Sequence, residues 1–180
     1  MNLAGFNDFE LMVLVKRSER SAFTELIHRY ERPLLNFFRR MGADIHSAED
    51  GVQETFIRLF NYRKEYQPKA RFTTFLYTLA RHVWSDEIRR AKRKSKTTGF
   101  TDTLEVVQKT NSLEPGERLD IQAALNGLSE KLRSVIVLSI YQGLNYQEIA
   151  AILDIPLGTV KSRAWLALRQ LRERLKVYSK

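Results

Sequence analysis

The sequence predicts an all-helical protein built as two small domains joined by an irregular strap. Three observations carry this. Apolar residues recur at helical spacing on both sides of the chain's middle, and no alternating β-branched run bounded by turn residues occurs. The segment from Thr97 to Glu117, TTGFTDTLEVVQKTNSLEPGE, is rich in Thr, Ser, Asn and Gly and contains the turn pair Pro115-Gly116. A stretch of about 20 residues without periodicity is long for a loop inside one compact domain. Charge divides the chain in the same place. Residues 97–127 are net −3, whereas the six residues 91–96 carry +4 and residues 128–180 carry +5. The expected boundaries are therefore residues 1–96, a linker over 97–116, and residues 117–180.

In the first block Phe23, Leu26, Ile27 and Tyr30 follow the i, i+3, i+4, i+7 stripe of an amphipathic helix. Leu34, Leu35, Phe37 and Phe38 continue it past Pro33, so the helix either tolerates this proline or restarts there. Gly42 supplies a C-terminal stop. Ser47 is the expected N-cap of the next helix, whose apolar positions are Val52, Phe56, Leu59 and Phe60. Pro68 marks a loop. Phe72, Phe75, Leu76, Leu79, Val83 and Ile88 mark a third, long helix.

The second block reads as shorter helices. One spans Leu119 to Leu128. Ser129 caps another, which carries Leu132, Val135, Ile136 and Ile140 and stops near Gly143. Tyr146 to Leu153 follows, then a turn at Asp154 to Gly158, then a long helix from Thr159, its expected N-cap, to about Val177.

Composition narrows the function classes. The 180 residues include no cysteine, which excludes disulfides, thiolate metal sites and a cysteine nucleophile and fits a reducing compartment. The N-terminus lacks the charged and apolar regions of a signal peptide, and no run approaches 18 uncharged apolar residues. A cytoplasmic protein without membrane insertion is expected. A net charge of +9 and a pI near 9.9 point to a polyanionic partner. Enzyme chemistry is not expected. The three histidines include no i, i+4 pair, and no Gly-rich phosphate loop is present. Asp86 and Glu87 are neighbours that point apart on a helix. No cofactor or metal is expected.

The final stretch, LNYQEIAAILDIPLGTVKSRAWLALRQLRERL, reads as a helix-turn-helix. Val160, Ala164, Ala167, Leu168, Leu171 and Leu175 cluster on one side of its second helix. The other side then holds Lys161, Ser162, Trp165, Leu166, Arg169 and Arg172. Cations beside exposed Trp and Leu suit a helix in a DNA major groove, where Lys and Arg meet guanine edges or phosphates and apolar groups touch thymine methyls. A second constellation, FLYTLARHVWSDEIRRAKRKSK, interleaves aromatics with a ladder of cations, as unstacked DNA strands require. A third is acidic. Glu49, Asp50, Gln53 and Glu54 lie along one helix, either complementing its dipole or forming a protein-docking surface.

Taken together, AFTELIHRYERPLLNFFRR, AEDGVQETFIRLF, ARFTTFLYTLARHVWSDEIRRAKR and LSEKLRSVIVLSIYQGLNYQEIAAILDIPLGTVKSRAWLALRQLR resemble bacterial RNA polymerase sigma factors of the extracytoplasmic-function group, in this order and spacing. The resemblance covers roughly residues 20–95 and 117–175. It implies sigma domain 2, a linker and sigma domain 4, with core RNA polymerase and promoter DNA as partners and an anti-sigma factor as regulator. Asp50, Gln53, Glu54, Phe56 and Leu59 match the helix that docks on polymerase. Tyr66, Lys69, Arg71, Phe72, His82, Asp86, Arg89, Arg90 and Arg93 match the single-strand, minus-ten surface. Thr159, Lys161, Ser162, Arg163, Trp165, Leu166 and Arg169 match the minus-thirty-five recognition helix. His82 stands where several members have Asn, and Leu166 where several have Arg, so neither element's sequence carries over. The alternative is a conventional helix-turn-helix regulator that binds duplex DNA without polymerase.

Overall fold

A computed structural model describes residues 3–97 and 117–177. Among these residues there are helices and no strands. The expected linker over 97–116 lies outside the described residues except for Thr97.

The helices are α1 (Asp8–Lys16), α2 (Arg20–Met41), α3 (Ile45–Asn61), α4 (Phe72–Thr97), α5 (Glu117–Asn126), α6 (Glu130–Ile136), α7 (Tyr146–Leu153) and α8 (Leu157–Val177). A 3-10 turn at Tyr62–Lys64 follows α3, and a π-type turn at Val137–Tyr141 extends α6.

Pro33 sits inside an unbroken α2, and Gly42 ends that helix in the left-handed region at φ 110°. Glycine has no Cβ to oppose that conformation. Gly51 answers a different need. A Cβ there would lie 3.0 Å from the buried ring of Phe38, so its absence lets α3 approach α2 closely.

Several local expectations are corrected. Helix α1 has no counterpart among the expected elements; Asn7 and Glu10 build a reciprocal capping box at its start. The N-cap of α3 is Asp44 and not Ser47. The Asp44 carboxylate accepts from the Ser47 amide at 2.9 Å and its hydroxyl at 3.0 Å, and these bonds hold it below the usual carboxylate range. Helix α8 starts at Leu157, two residues before Thr159, because the Pro156 carbonyl already accepts from the Thr159 and Val160 amides. Ile140 is 58% exposed, not on the core face. The π-type turn adds a residue per turn and rotates it out of the stripe. Leu168, expected in the core, is 46% exposed.

The core is continuous across both halves. Phe37, Phe38, Leu76 and Tyr77 from the first half share one cluster with Val135, Leu138, Ile149 and Val160 from the second. Phe37 stacks edge-on against Phe38 and Tyr77 with ring centres 5.2 and 5.6 Å away. A smaller cluster of Leu125, Leu128, Leu132, Ile136 and Ala167 joins α5, α6 and α8. No helix of the described residues is long and apolar enough to cross a membrane.

Candidate nucleic-acid interface

The α7–α8 pair is assembled from its turn outward. Asn145 and Glu148 form a capping box at the start of α7. Asp154 ends that helix in the left-handed region at φ 53°, and the Ala150 carbonyl accepts from the amides of Asp154 and Ile155. This turn aims α8 so that Val160, Ala164 and Ala167 face inward and are buried.

Lys161, Ser162, Trp165, Leu166, Arg169 and Arg172 consequently face outward, as the helical geometry requires. Trp165 is 63% exposed. The Arg169 guanidinium stands 5.7 Å from its ring centre and also meets Glu173 at 3.5 Å. Thr159 and Arg163 are half-buried at the edge of this face. An exposed indole costs solvation unless something covers it, and base edges with phosphates match this mixture of cations and apolar groups.

The minus-ten candidates other than Asp86 divide into two sets. Lys69, Arg71, His82, Arg89, Arg90 and Arg93 are exposed. Tyr66 and Phe72 are buried. Tyr66 packs on Phe72 and Phe75, and Phe72 on Tyr30, so these rings hold the 66–71 loop in place from beneath. Partial burial of its ring and the repulsion of Arg81 and Arg58 push the His82 imidazole below its ordinary value. The side chains of Lys94 and Lys96, also in the expected cation ladder, lie outside those described.

Asp86 is tied into an ion-pair chain. It accepts from Arg58 at 3.0 Å and faces Arg89 at 3.5 Å, while Glu54 holds the other edge of Arg58 at 2.8 Å. The hydrogen bond from Arg58 holds the Asp86 carboxyl below the ordinary carboxylate value. A depressed folded-state pKa contributes stability that is present above the unfolded value and lost as pH falls through the folded one. Asp86→Asn should therefore be less stable than the parent at pH 7, and the difference should vanish on acidification below the carboxylate range. Urea titrations at several pH values check this. A difference independent of pH would contradict the ion-pair role.

On the far side of α3 lies an apolar groove of about 440 Å³ between α2 and α3. Phe23 and Ile27 form one wall, and Val52, Phe56, Ile57 and Phe60 the other. Of the expected docking residues, Gln53 and Phe56 line it, and Asp50 is exposed one helical turn away. Glu54 is engaged with Arg58, and Leu59 is fully buried, so it supports the groove from within. Sequence reasoning missed Ile57, which is 54% exposed. The available signal was the apolar arc of residues 56, 57, 59 and 60, which is wider than one core-facing stripe requires.

Comparison with known proteins places both halves. Residues 26–94 match the family model described as Sigma-70 region 2, and residues 118–171 the one described as Sigma-70, region 4. The chain is 32% identical over 176 residues to the ECF RNA polymerase sigma factor SigW of Bacillus subtilis, covering 90% of this chain and 93% of that one. It is 35% identical over 159 residues to the ECF sigma factor SigL of Mycobacterium tuberculosis, covering 86% and 89%. It is 34% identical to the ECF sigma factor SigE of Mycolicibacterium smegmatis, spanning 63% of that protein's length. Among solved structures, the sigma factor RpoE of Bartonella quintana, captured with the anti-sigma factor NepR, is similar at a TM-score of 0.72 and 26% identity, covering 86% of this chain and 97% of that one. CnrH shares the fold at a TM-score of 0.71 and 22% identity, covering 93% and 96%.

Proposed function

The chain belongs to the ECF RNA polymerase sigma factors, and from that premise we propose that it docks on core RNA polymerase, recognises promoter DNA at two elements and helps to open it. The observation that carries this is the coexistence, in one chain, of the apolar α2–α3 groove and the exposed Trp165 face of α8. A conventional helix-turn-helix regulator needs only the second.

The division of labour follows from the surfaces. The groove, with Asp50 and Gln53 at its rim, takes an apolar helical element of polymerase. The 66–71 loop and the exposed cations of α4 hold an unpaired strand, which offsets the few kcal/mol lost in unstacking a base. Lys161, Ser162, Trp165, Leu166 and Arg169 read duplex DNA. The two DNA-reading surfaces belong to domains spanning residues 1–96 and 117–180. The chain itself performs no bond chemistry; nucleotidyl transfer belongs to polymerase. An anti-sigma factor is a further partner we propose, since the Bartonella relative was captured with one.

Binding of the labelled protein to core polymerase, followed by run-off transcription on a library of promoter fragments, tests the reading. Joining core and directing discrete starts is expected. Binding DNA as a dimer without ever joining core would overturn it. Within this account, Lys161→Ala and Ser162→Ala should each reduce discrimination between promoter and random duplex by about 1–3 kcal/mol per lost base contact. Competition binding measures that ratio. Equal losses on both DNAs would assign these side chains to phosphates.

A further inference from the structure

Arg29, midway along α2, makes five hydrogen bonds. Its Nε donates to Glu25 at 2.7 Å, its Nη1 to the Phe6 carbonyl at 2.8 Å and to Asp8 at 3.1 Å, and its Nη2 to the Leu3 and Ala4 carbonyls, both at 3.2 Å. Those are all the N–H donors that an arginine has. A half-buried guanidinium satisfied this completely is held in one orientation, and it orders the groups that supply its acceptors. Three of those acceptors are backbone carbonyls within residues 3–6, a stretch outside any helix.

Asp8 carries the arrangement further. Its carboxylate meets Arg29 with one oxygen and with the other accepts from the Tyr30 hydroxyl. Burial and this bond to an anion push the Tyr30 hydroxyl above its ordinary value, so it remains a donor. The Tyr30 ring lies against Phe72 with centres 5.3 Å apart, and Phe72 lies against Tyr66 at 6.4 Å. Phe72 and Tyr66 are the buried floor of the 66–71 loop. Burial and the Asp8 charge raise the Tyr66 hydroxyl as well, so one carboxylate acts on both tyrosines beneath the loop. Helix α1 also packs against the turn at Tyr62–Lys64, which leads into that loop.

Anchoring α1 does not require this polar chain. Leu11, Met12 and Val15 are fully buried and already fasten the helix to the core. The chain adds direction. It starts at residues 3–6 and ends at the rings under the 66–71 loop. A loop that must hold an unpaired strand binds more tightly when it is held in shape beforehand, because ordering it on contact costs affinity.

We infer that Arg29 is a positioning residue for strand capture, ordering residues 3–8 so that Asp8 and Tyr30 fix the floor of the 66–71 loop. Residues 3–8 then act on the strand through the loop. The consequence rests on the proposed reading of this loop as a strand site; the geometry does not.

Two variants test it. Arg29→Gln keeps at most two of the five donors. Tyr30→Phe deletes the bond to Asp8 and keeps the ring on Phe72. The chain has no native cysteine, so a spin label on Lys69→Cys reports loop mobility in the free full-length protein, and one on Lys131→Cys reports the second half. In parallel, complexes with core polymerase are titrated with two promoter forks that differ only in whether they carry the unpaired minus-ten strand. The ratio of the two affinities is the contribution of the strand. Both variants should mobilise the label at 69 and leave the label at 131 unchanged. Both should lower the strand ratio several-fold, Arg29→Gln more than Tyr30→Phe. Affinity for core polymerase, and for the fork without the strand, should stay that of the parent. An unmoved label at 69 in both variants would overturn the positioning role, as would a mobilised loop with an unchanged strand ratio. So would equal loosening at both labels with equal losses on both forks, which is the signature of a chain that is merely less stable. A parent complex that gains nothing from the strand would contradict the functional reading, whereas the label in the free chain needs no polymerase and still decides whether Arg29 positions the loop.

Discussion

Ile57→Asp should abolish tight binding to core polymerase while leaving the fold intact. Ile57 is 54% exposed and contributes to the wall of the α2–α3 groove, so in the free protein a carboxylate there meets water. In the docked state the same carboxylate would be buried against an apolar partner without a counter-charge. Truncating a central interface anchor costs at least about 2 kcal/mol, or roughly 30-fold in affinity, and the buried charge adds to this. Reversing the charge of Asp50 should do less. It is exposed at the rim, where a charge acts mainly on association rate and salt dependence. Titrating labelled protein against core polymerase measures both effects, with thermal melting as the control for folding. Equal affinity for the parent and Ile57→Asp, at equal melting temperature, would remove the groove from the docking surface.

Phe37→Ala should remove a large part of the fold's stability. The ring is 1% exposed and packs against both Phe38 and Tyr77. Deleting a buried phenyl group costs about 3–5 kcal/mol in transfer and cavity terms together. Against a total of about 5–15 kcal/mol for a typical domain, that brings the variant close to unfolding at 37 °C. Chemical denaturation measures it. A loss under about 1 kcal/mol would show that this ring is not at the packing centre. The partner ring Tyr77 also bonds Gln142 of the second half, so the cavity should loosen both halves and not α2 alone.

Features with a period were legible from residues. The stripe of Phe23, Leu26 and Tyr30 identified α2, and Val160, Ala164 and Ala167 oriented α8 correctly. Orientation was enough to place Lys161, Trp165 and Arg169 outward. Features without a period were not. Helix α1 buries Leu11, Met12 and Val15 but shows little amphipathic contrast, and it was not among the expected elements. The π-type turn displaced Ile140 because the 100° rule assumes an unbroken α-helix. The bond from Arg133 to the Met41 carbonyl, which ties the second half of the chain to the first, was invisible for another reason. Arg133 and Met41 are 92 residues apart, and the bond uses a backbone carbonyl that any residue could supply.

The groove shows the boundary between the two kinds of knowledge. Resemblance pointed to Asp50, Gln53, Glu54, Phe56 and Leu59 as one docking helix. Packing then separates them. Gln53 and Phe56 line the groove, Asp50 sits at its rim, Glu54 holds Arg58, and Leu59 lies in the core. Which residues of a helix are available to a partner is decided by its neighbours, here the α2 wall of Phe23 and Ile27.

The central claim is tested most directly by permanganate footprinting of promoter DNA mixed with core polymerase, with and without this protein. The account predicts reactive, unpaired thymines at the minus-ten element only when both proteins are present, and loss of that reactivity with Ile57→Asp. Duplex DNA that stays unreactive with both present, or becomes reactive with this protein alone, would contradict it.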